Sequence, residues 1–200
     1  MKGIIFDFAG VILKEGSVIK HQLMPIIGNV SEYDIMLERY NKLKIGKIEH
    51  DDFWMNIDNS TIHEKAFLES FELNHGMEAI SDLRARYKLG LLSNFVSVWA
   101  WKLIRRFNLG AYFDEIAISG DVGMKKPDKE FYEYMFQKMK LPAEECYVVD
   151  DQKRNLKPAK KLGCTTIFFR TDRDEWFNKE IDFEADFTVD SLWHIKDIVR

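Results

Sequence analysis

The sequence predicts an α/β fold, a doubly wound parallel sheet interrupted by an all-helical insert, and three observations carry that prediction. Short apolar runs recur along the chain, each too short for a helix and each bounded by Gly, Asp, Asn or Ser. Between them lie stretches with helical spacing, and this alternation calls for parallel strands covered by helices on both faces. One long region, residues 15–76, has helical spacing and no strand-like run at all.

Taken in order, GIIFD at 3–7 reads as a buried strand closed by a lone carboxylate, Asp7. The region after it contains YDIMLERYNKLKIGKIEHDDFWMNI at 33–57, with apolar residues at helical intervals. Residues 15–76 are therefore expected to form a helical insert between two pieces of one core, 1–14 and 77–200. Gly10 and Gly76 stand near its two connections as expected flexible points. LGLLSN at 89–94, DEIAISG at 114–120, CYVVDD at 146–151 and CTTIFF at 164–169 read as further strands. In DKEFYEYMFQKMKL, at 128–141, Phe131, Met135 and Met139 fall on one helix face. SLWHIKDIV at 191–199 reads as a last helix capped by Ser191, with Leu192, Ile195 and Val199 facing the core.

Composition excludes several functions. The 200 residues are 46% hydrophobic, with 15 Phe and 5 Trp, which is enough for a substantial core. A formal charge of -4 supplies no basic field, so nucleic acid is not an expected partner. No apolar run approaches the ~18 residues of a membrane span. Lys2 ahead of an apolar stretch suggests a signal peptide, but Asp7 interrupts the run and no small-residue cleavage site follows, so a cytoplasmic protein is expected. Cys146 and Cys164 each open an apolar run and read as buried thiols in a reducing compartment. The five histidines show no metal-ligand spacing; His50 lies in the insert, where it could face substrate. Trp99 and Trp101, two apart, cannot share a helix face, so at least one is expected to be exposed or to meet a partner.

In open parallel sheets ligands bind at the carboxyl ends of the strands, and here those ends carry Asp7, Ser93 with Asn94, and Asp150 with Asp151. Each has a plain alternative. Asp7 could form a turn, and the others could cap the helices that follow them. Pro127 and Asp128 could simply start a helix. Taken together these alternatives crowd three carboxylates with no structural partner, and like charges at ~4 Å repel unless a cation intervenes. Mg2+ suits oxygen ligands and shares carboxylates with a substrate phosphate. Ser93, the backbone N–H of Asn94 and a lysine of KKP (125–127) would donate to that phosphate.

The order FDFAGVIL, LLSN, GMKKPDKEFY, VVDDQKRN resembles the four motifs of the haloacid dehalogenase superfamily, in the branch with a helical cap after the first motif. The resemblance spans essentially the whole chain. It implies a Rossmann-like core with an inserted cap, Asp7 as a nucleophile forming an aspartyl-phosphate, Ser93 and Asn94 on the phosphate, and Lys126 steadying both, in preference to Lys125. It further implies Mg2+ held by Asp7, the Ala9 carbonyl and Asp151, with Asp150 as ligand or holder of its water. A small phosphorylated metabolite, such as a sugar phosphate, is the implied substrate, acted on by a monomer or homodimer.

Ala9 departs from the pattern, because most phosphatases of this superfamily place a general-acid Asp there. A methyl group transfers no proton, and such transfers are worth ~10²- to 10⁴-fold, so poor leaving groups should react slowly. Three other readings follow. Phosphonoacetaldehyde hydrolases also carry Ala at this position but need an imine-forming cap lysine, for which Lys42, Lys44 and Lys47 are the candidates by type. Haloacid dehalogenation uses the same nucleophile without metal, which leaves Asp150 and Asp151 without a purpose. A non-catalytic binding module fits Ala9 but not the intact Asp7, Lys126, Asp150 and Asp151.

Overall fold

The computed structural model describes residues 1–28, 33–171 and 178–199. A six-stranded sheet forms the centre, with strands β1 (Gly3–Phe6), β2 (Lys88–Ser93), β3 (Glu115–Ile118), β4 (Cys146–Asp150), β5 (Thr165–Phe169) and β6 (Phe187–Val189) in the order β3-β2-β1-β4-β5-β6. Every neighbouring pair is parallel. The five apolar runs are the first five strands. β6 has no such run: only Val189 of its three residues is buried, so periodicity carries no sign of it.

Side chains alternate across the sheet, and each face has its own helices. On one face Ile4, Phe6, Leu91 and Val149 pack with α5 (Met77–Arg84), α6 (Ser97–Arg106) and the last helix, α10 (Leu192–Ile198). On the other, Ile5, Leu92, Val148 and Phe168 meet Phe131, Tyr132 and Met135 of α8 (Lys129–Met139) and Leu156 of α9 (Lys153–Lys161). A one-turn helix, α7 (Ser119–Val122), follows β3. Cys146 and Cys164 are free and buried in this second cluster. Ser191 caps α10, its hydroxyl accepting from the Trp193 N–H at 3.2 Å, and Leu192, Ile195 and Val199 are buried. No helix among the described residues is long and apolar enough to cross a membrane.

Between β1 and α5 the named elements are all helical: a π-helical turn (Val18–Leu23) running into α1 (Met24–Ile27), then α2 (Tyr33–Leu43), α3 (His50–Trp54) and α4 (Ser60–Glu69). Its entry and exit run side by side, joined where Lys14 N–H donates to Glu72 O and Asn74 N–H to Ile12 O. Trp99 of α6 holds these helices to the core. It is fully buried, with its ring 5.0 Å from Phe67, 5.1 Å from Phe53 and stacked on Tyr40. Trp101 is half-buried and its indole N–H donates to Asp121 at 2.9 Å, so neither tryptophan requires a partner protein.

The capping alternatives do not hold. Val96 is the N-cap of α6 and Gln152 that of α9, which releases Ser93, Asn94, Asp150 and Asp151 from that duty. Asp128 stands at the N-cap position of α8 without a side-chain capping bond, and Pro127 precedes the helix instead of opening its first turn.

Candidate active site

The sheet register assembles the site. Phe6 lies opposite Val149, so Asp7 emerges beside Asp150, and the Asp7 N–H still donates to Val149 O at 2.9 Å. Asp7, Asp150 and Asp151 are all buried, and each presents an oxygen within 4.8 Å of the others. Lys126, only 3% exposed, reaches between them, with Nζ 2.9 Å from Asp7 Oδ1 and 2.6 Å from Asp150 Oδ2. Asn94 places that lysine. Its amide donates to Lys126 O and accepts from Lys126 N–H, both at 2.8 Å.

The supporting shell is well defined. Asp7 Oδ1 also accepts from the Phe8 N–H at 2.7 Å. Asp150 Oδ1 takes the Gln152 N–H at 2.8 Å, and the Asn155 amide reaches both Asp150 oxygens at 3.0 and 3.1 Å. Tyr132 hydroxyl in turn donates to Asn155 O at 2.6 Å. Asn178 donates to Asp151 O at 3.0 Å and accepts from Lys153 N–H, tying the start of α9 to a later segment. Asn155 belongs to the VVDDQKRN stretch; Asn178 has no local signal, because it arrives from a segment remote in sequence.

Three carboxylates face one ammonium. Burial pushes Asp7 up to about 6, Lys126 opposes that shift and Asp150 adds to it. Burial, then Asp150 and Asp7, push Asp151 well above the usual carboxylate range. For Lys126 burial works against the charge, but Asp150 and Asp7 outweigh it and hold the ammonium on. Asp151 Oδ1 is buried without a hydrogen-bond partner, and so is Asn155 Oδ1. Unpaired buried acceptors are costly, and here they sit in an excess of negative charge.

The surrounding backbone leaves room for a cation. A Cβ on Gly16 would stand 2.8 Å from Asp151 Oδ2 and 3.6 Å from Ala9 O; one on Gly10, at φ +94°, would stand 2.4 Å from Asp151 Oδ2. Both glycines keep the Asp151 carboxylate clear, and the Gly16 position lies within reach of the Ala9 carbonyl as well. Oxygen donors, an uncompensated charge, an orphaned carboxylate oxygen and steric clearance together fit a hard divalent ion.

A cavity of about 320 Å³ opens onto this knot. Asp7, Ala9, Ser93, Asn94 and Lys126 line it, while Asp150 and Asp151 are buried beside them. Gly16, Lys44, Arg154 and Asn155 line it too, and sequence reading did not single out Gly16, Arg154 or Asn155. His50 lies elsewhere, on a groove of about 630 Å³ between α3, α4 and α6, where Nε2 pairs with Glu64 at 2.7 Å and Glu64 also binds Lys102. The expectation that His50 could face substrate is thus corrected.

Comparison with known proteins points to one family. A family model described as haloacid dehalogenase-like hydrolase matches residues 4–169. A glyceraldehyde 3-phosphate phosphatase of Methanocaldococcus jannaschii is 33% identical over 128 residues, 63% of this chain and 55% of that protein. Here the match spans only about half of the relative's length. A D-ribitol-5-phosphate phosphatase of Bacteroides thetaiotaomicron is 28% identical over 190 residues, 84% of this chain and 91% of that one. A HAD phosphatase structure from Thermococcus onnurineus superposes with a TM-score of 0.75 at 20% identity, covering 99% of this chain and 97% of the other. A HAD family enzyme of B. thetaiotaomicron, in complex with magnesium and inorganic phosphate, superposes at 0.71 with 19% identity, covering 90% and 100%. With its fold, its strand-end carboxylates and a family match over most of its length, the chain belongs to the haloacid dehalogenase-like hydrolases.

Proposed function

We propose that the chain is a Mg2+-dependent phosphomonoesterase that acts on a small phosphorylated metabolite through Asp7. The observation that carries this reading is the buried Asp7–Lys126–Asp150 chain beside the orphaned oxygen of Asp151. Phosphatase names among the relatives support it. Asp7, the Ala9 carbonyl and Asp151 would hold the ion, with Asp150 beside them. Bound there, Mg2+ supplies charge compensation for the carboxylates and for the transferring phosphoryl group.

The chain's own residues do the rest. Lys126 and the Phe8 N–H fix the Asp7 carboxylate so that it meets phosphorus in line, and burial excludes competing water. Asp7 attacks, the P–O bond to the substrate alcohol breaks, and water later hydrolyses the aspartyl-phosphate. Lys126 balances the charge on both partners, while Ser93 and the Asn94 N–H donate to the phosphate. Residues 15–76 serve as a cap over the core formed by 1–14 and 77–200. Turnover of p-nitrophenyl phosphate that needs Mg2+ and vanishes in Asp7→Asn is the expected result. Full activity after exhaustive chelation would overturn the reading and favour dehalogenation.

One observation favours a second reading. Lys44 lines the cavity, and burial, with Arg154 and Lys125 nearby, pushes its ammonium down to about 8, toward the range of imine-forming lysines. Borohydride trapping of phosphonoacetaldehyde on Lys44, absent in Lys44→Gln, is the result that reading requires.

A further inference from the structure

The rim of the catalytic cavity differs in charge from its floor. At the floor Lys126 is matched by Asp7 and Asp150. Lys44 and Arg154 also line the cavity, and Asp7 is the only acidic side chain among the described lining residues. Lys125 lies close enough to act on the Lys44 charge. Among the described residues no carboxylate pairs with Lys44, Arg154 or Lys125.

The placement of Lys44 is specific. Its Nζ stands 5.1 Å over the centre of the buried Tyr40 ring, a cation–π contact that restrains a flexible side chain. Its carbonyl oxygen accepts a hydrogen bond from Ser119 Oγ, at the end of β3, and that hydroxyl also accepts from the Phe95 N–H at 3.0 Å. The core thereby fixes the chain following α2 at the point where Lys44 meets the cavity. Arg154 is steadied by its Nε bond to Gln152 Oε1 at 2.8 Å. Gathering cations on a cavity wall without a carboxylate is unfavourable, and an anion bound between them relieves it.

We propose that Lys44 and Arg154 form an anion subsite at the cavity rim, so that the preferred substrate is a phosphate ester whose alcohol portion carries a second anionic group. The inference rests on the phosphomonoesterase reading, since it places the transferring phosphate at the Lys126 floor. A cavity of about 320 Å³ has room for a small phosphorylated hydroxy acid.

The test compares 3-phosphoglycerate with glycerol 3-phosphate, which share a primary-alcohol leaving group and differ by one carboxylate. A charge-assisted contact of the usual strength predicts a preference of about 10- to 100-fold in kcat/KM for the acid, carried mainly by KM. Lys44→Gln should reduce that ratio to within about threefold, and Lys44→Arg should preserve it. Equal rates on the two esters, or a Lys44→Gln effect equal on both, would overturn the subsite, because general electrostatic steering acts on every phosphate ester alike. Calorimetric titration of Asp7→Asn with the same two compounds in Mg2+ separates the two readings. Preferential binding of the acid without turnover of any ester by the wild type would uphold the subsite and reject the phosphatase; equal turnover with equal binding would reject the subsite alone; no turnover and no binding preference would reject both.

Discussion

Gly16 shows how closely one residue could control the proposed metal site. Its φ needs no special freedom, so Gly16→Ala is a purely steric probe, and the new methyl would stand 2.8 Å from Asp151 Oδ2. Displacing that carboxylate should weaken Mg2+ binding by about 10- to 100-fold, the range typical of residues supporting a metal ligand. Mg2+ titration of folded protein, with far-UV dichroism as the control for structure, measures this. Ala9 lines the cavity with a methyl group, where the proposed phosphatase reaction would call for proton transfer to the departing oxygen. Charge must then build on that oxygen, and the rate should rise steeply as the leaving group becomes more acidic. Ala9→Asp should accelerate alkyl phosphates by up to ~10²-fold and aryl phosphates little, compared by burst rates wherever dephosphorylation limits turnover. A wild-type rate that is flat across leaving groups would show that another residue already donates the proton.

Among the elements, α6 couples the helices between Val18 and Glu69 to the sheet. Trp99 touches Tyr40, Phe53, Trp54 and Phe67, so one side chain is shared by α2, α3 and α4. Lys102 adds an ion pair to Glu64, and Arg106 donates to the carbonyl of Leu68. Swinging these helices away as a rigid body would break the whole aromatic cluster, so any movement that admits substrate should be confined to the segments around the cavity. Trp99→Ala should cost about 3–5 kcal/mol in urea unfolding, the range for truncating a large buried aromatic. Hydrogen exchange should localise the loss to α3, α4 and α6. A cost under ~1 kcal/mol would show that the cluster does not hold the insert.

For the molecule as a whole, the buried carboxylates should make stability depend on pH and, if they hold Mg2+ as proposed, on metal together. Asp7 rises from its ordinary value of 3.8 to about 6 in the folded chain, mainly through burial, and Asp151 moves in the same direction. The folded state therefore keeps protons over a window in which the unfolded chain has released them. That contribution is fully present below about 4 and is lost as pH rises through about 6. Mg2+ replaces the protons, so the rise in Tm on adding Mg2+ should be larger at pH 7.5 than at pH 5, reaching about 5 to 10 °C at ~100-fold excess over Kd. Melting curves with Mg2+ and with EDTA at both pH values measure it, and an equal gain at the two would refute the linkage.

Strands β1 to β5, helix α8 and the Ser191-capped α10 were legible in the sequence because burial writes itself as local periodicity and as punctuation by Gly, Asp and Ser. Asp7, Ser93, Asn94, Asp150 and Asp151 were legible for a related reason: in a parallel sheet the end of a strand is also an address in space, whereas Lys126 lies between α7 and α8 and was legible only through the motif order that includes KKP. Which lysine of the KKP stretch enters the site is decided by Asn94, whose amide holds the Lys126 backbone from a different strand end. Asn178, Gly16 and Arg154 reach the site by tertiary approach, and nothing in their local sequence marks them as facing it. β6 pairs at an edge with two of its three residues exposed, so its strand character comes from β5 and from no pattern of its own. The sequence alone determined strands β1 to β5 and the residues at their ends, because burial shows as a local pattern along the chain. Tertiary structure alone decided the charge balance and the steric clearance around Asp151, because both depend on distances between segments far apart in sequence.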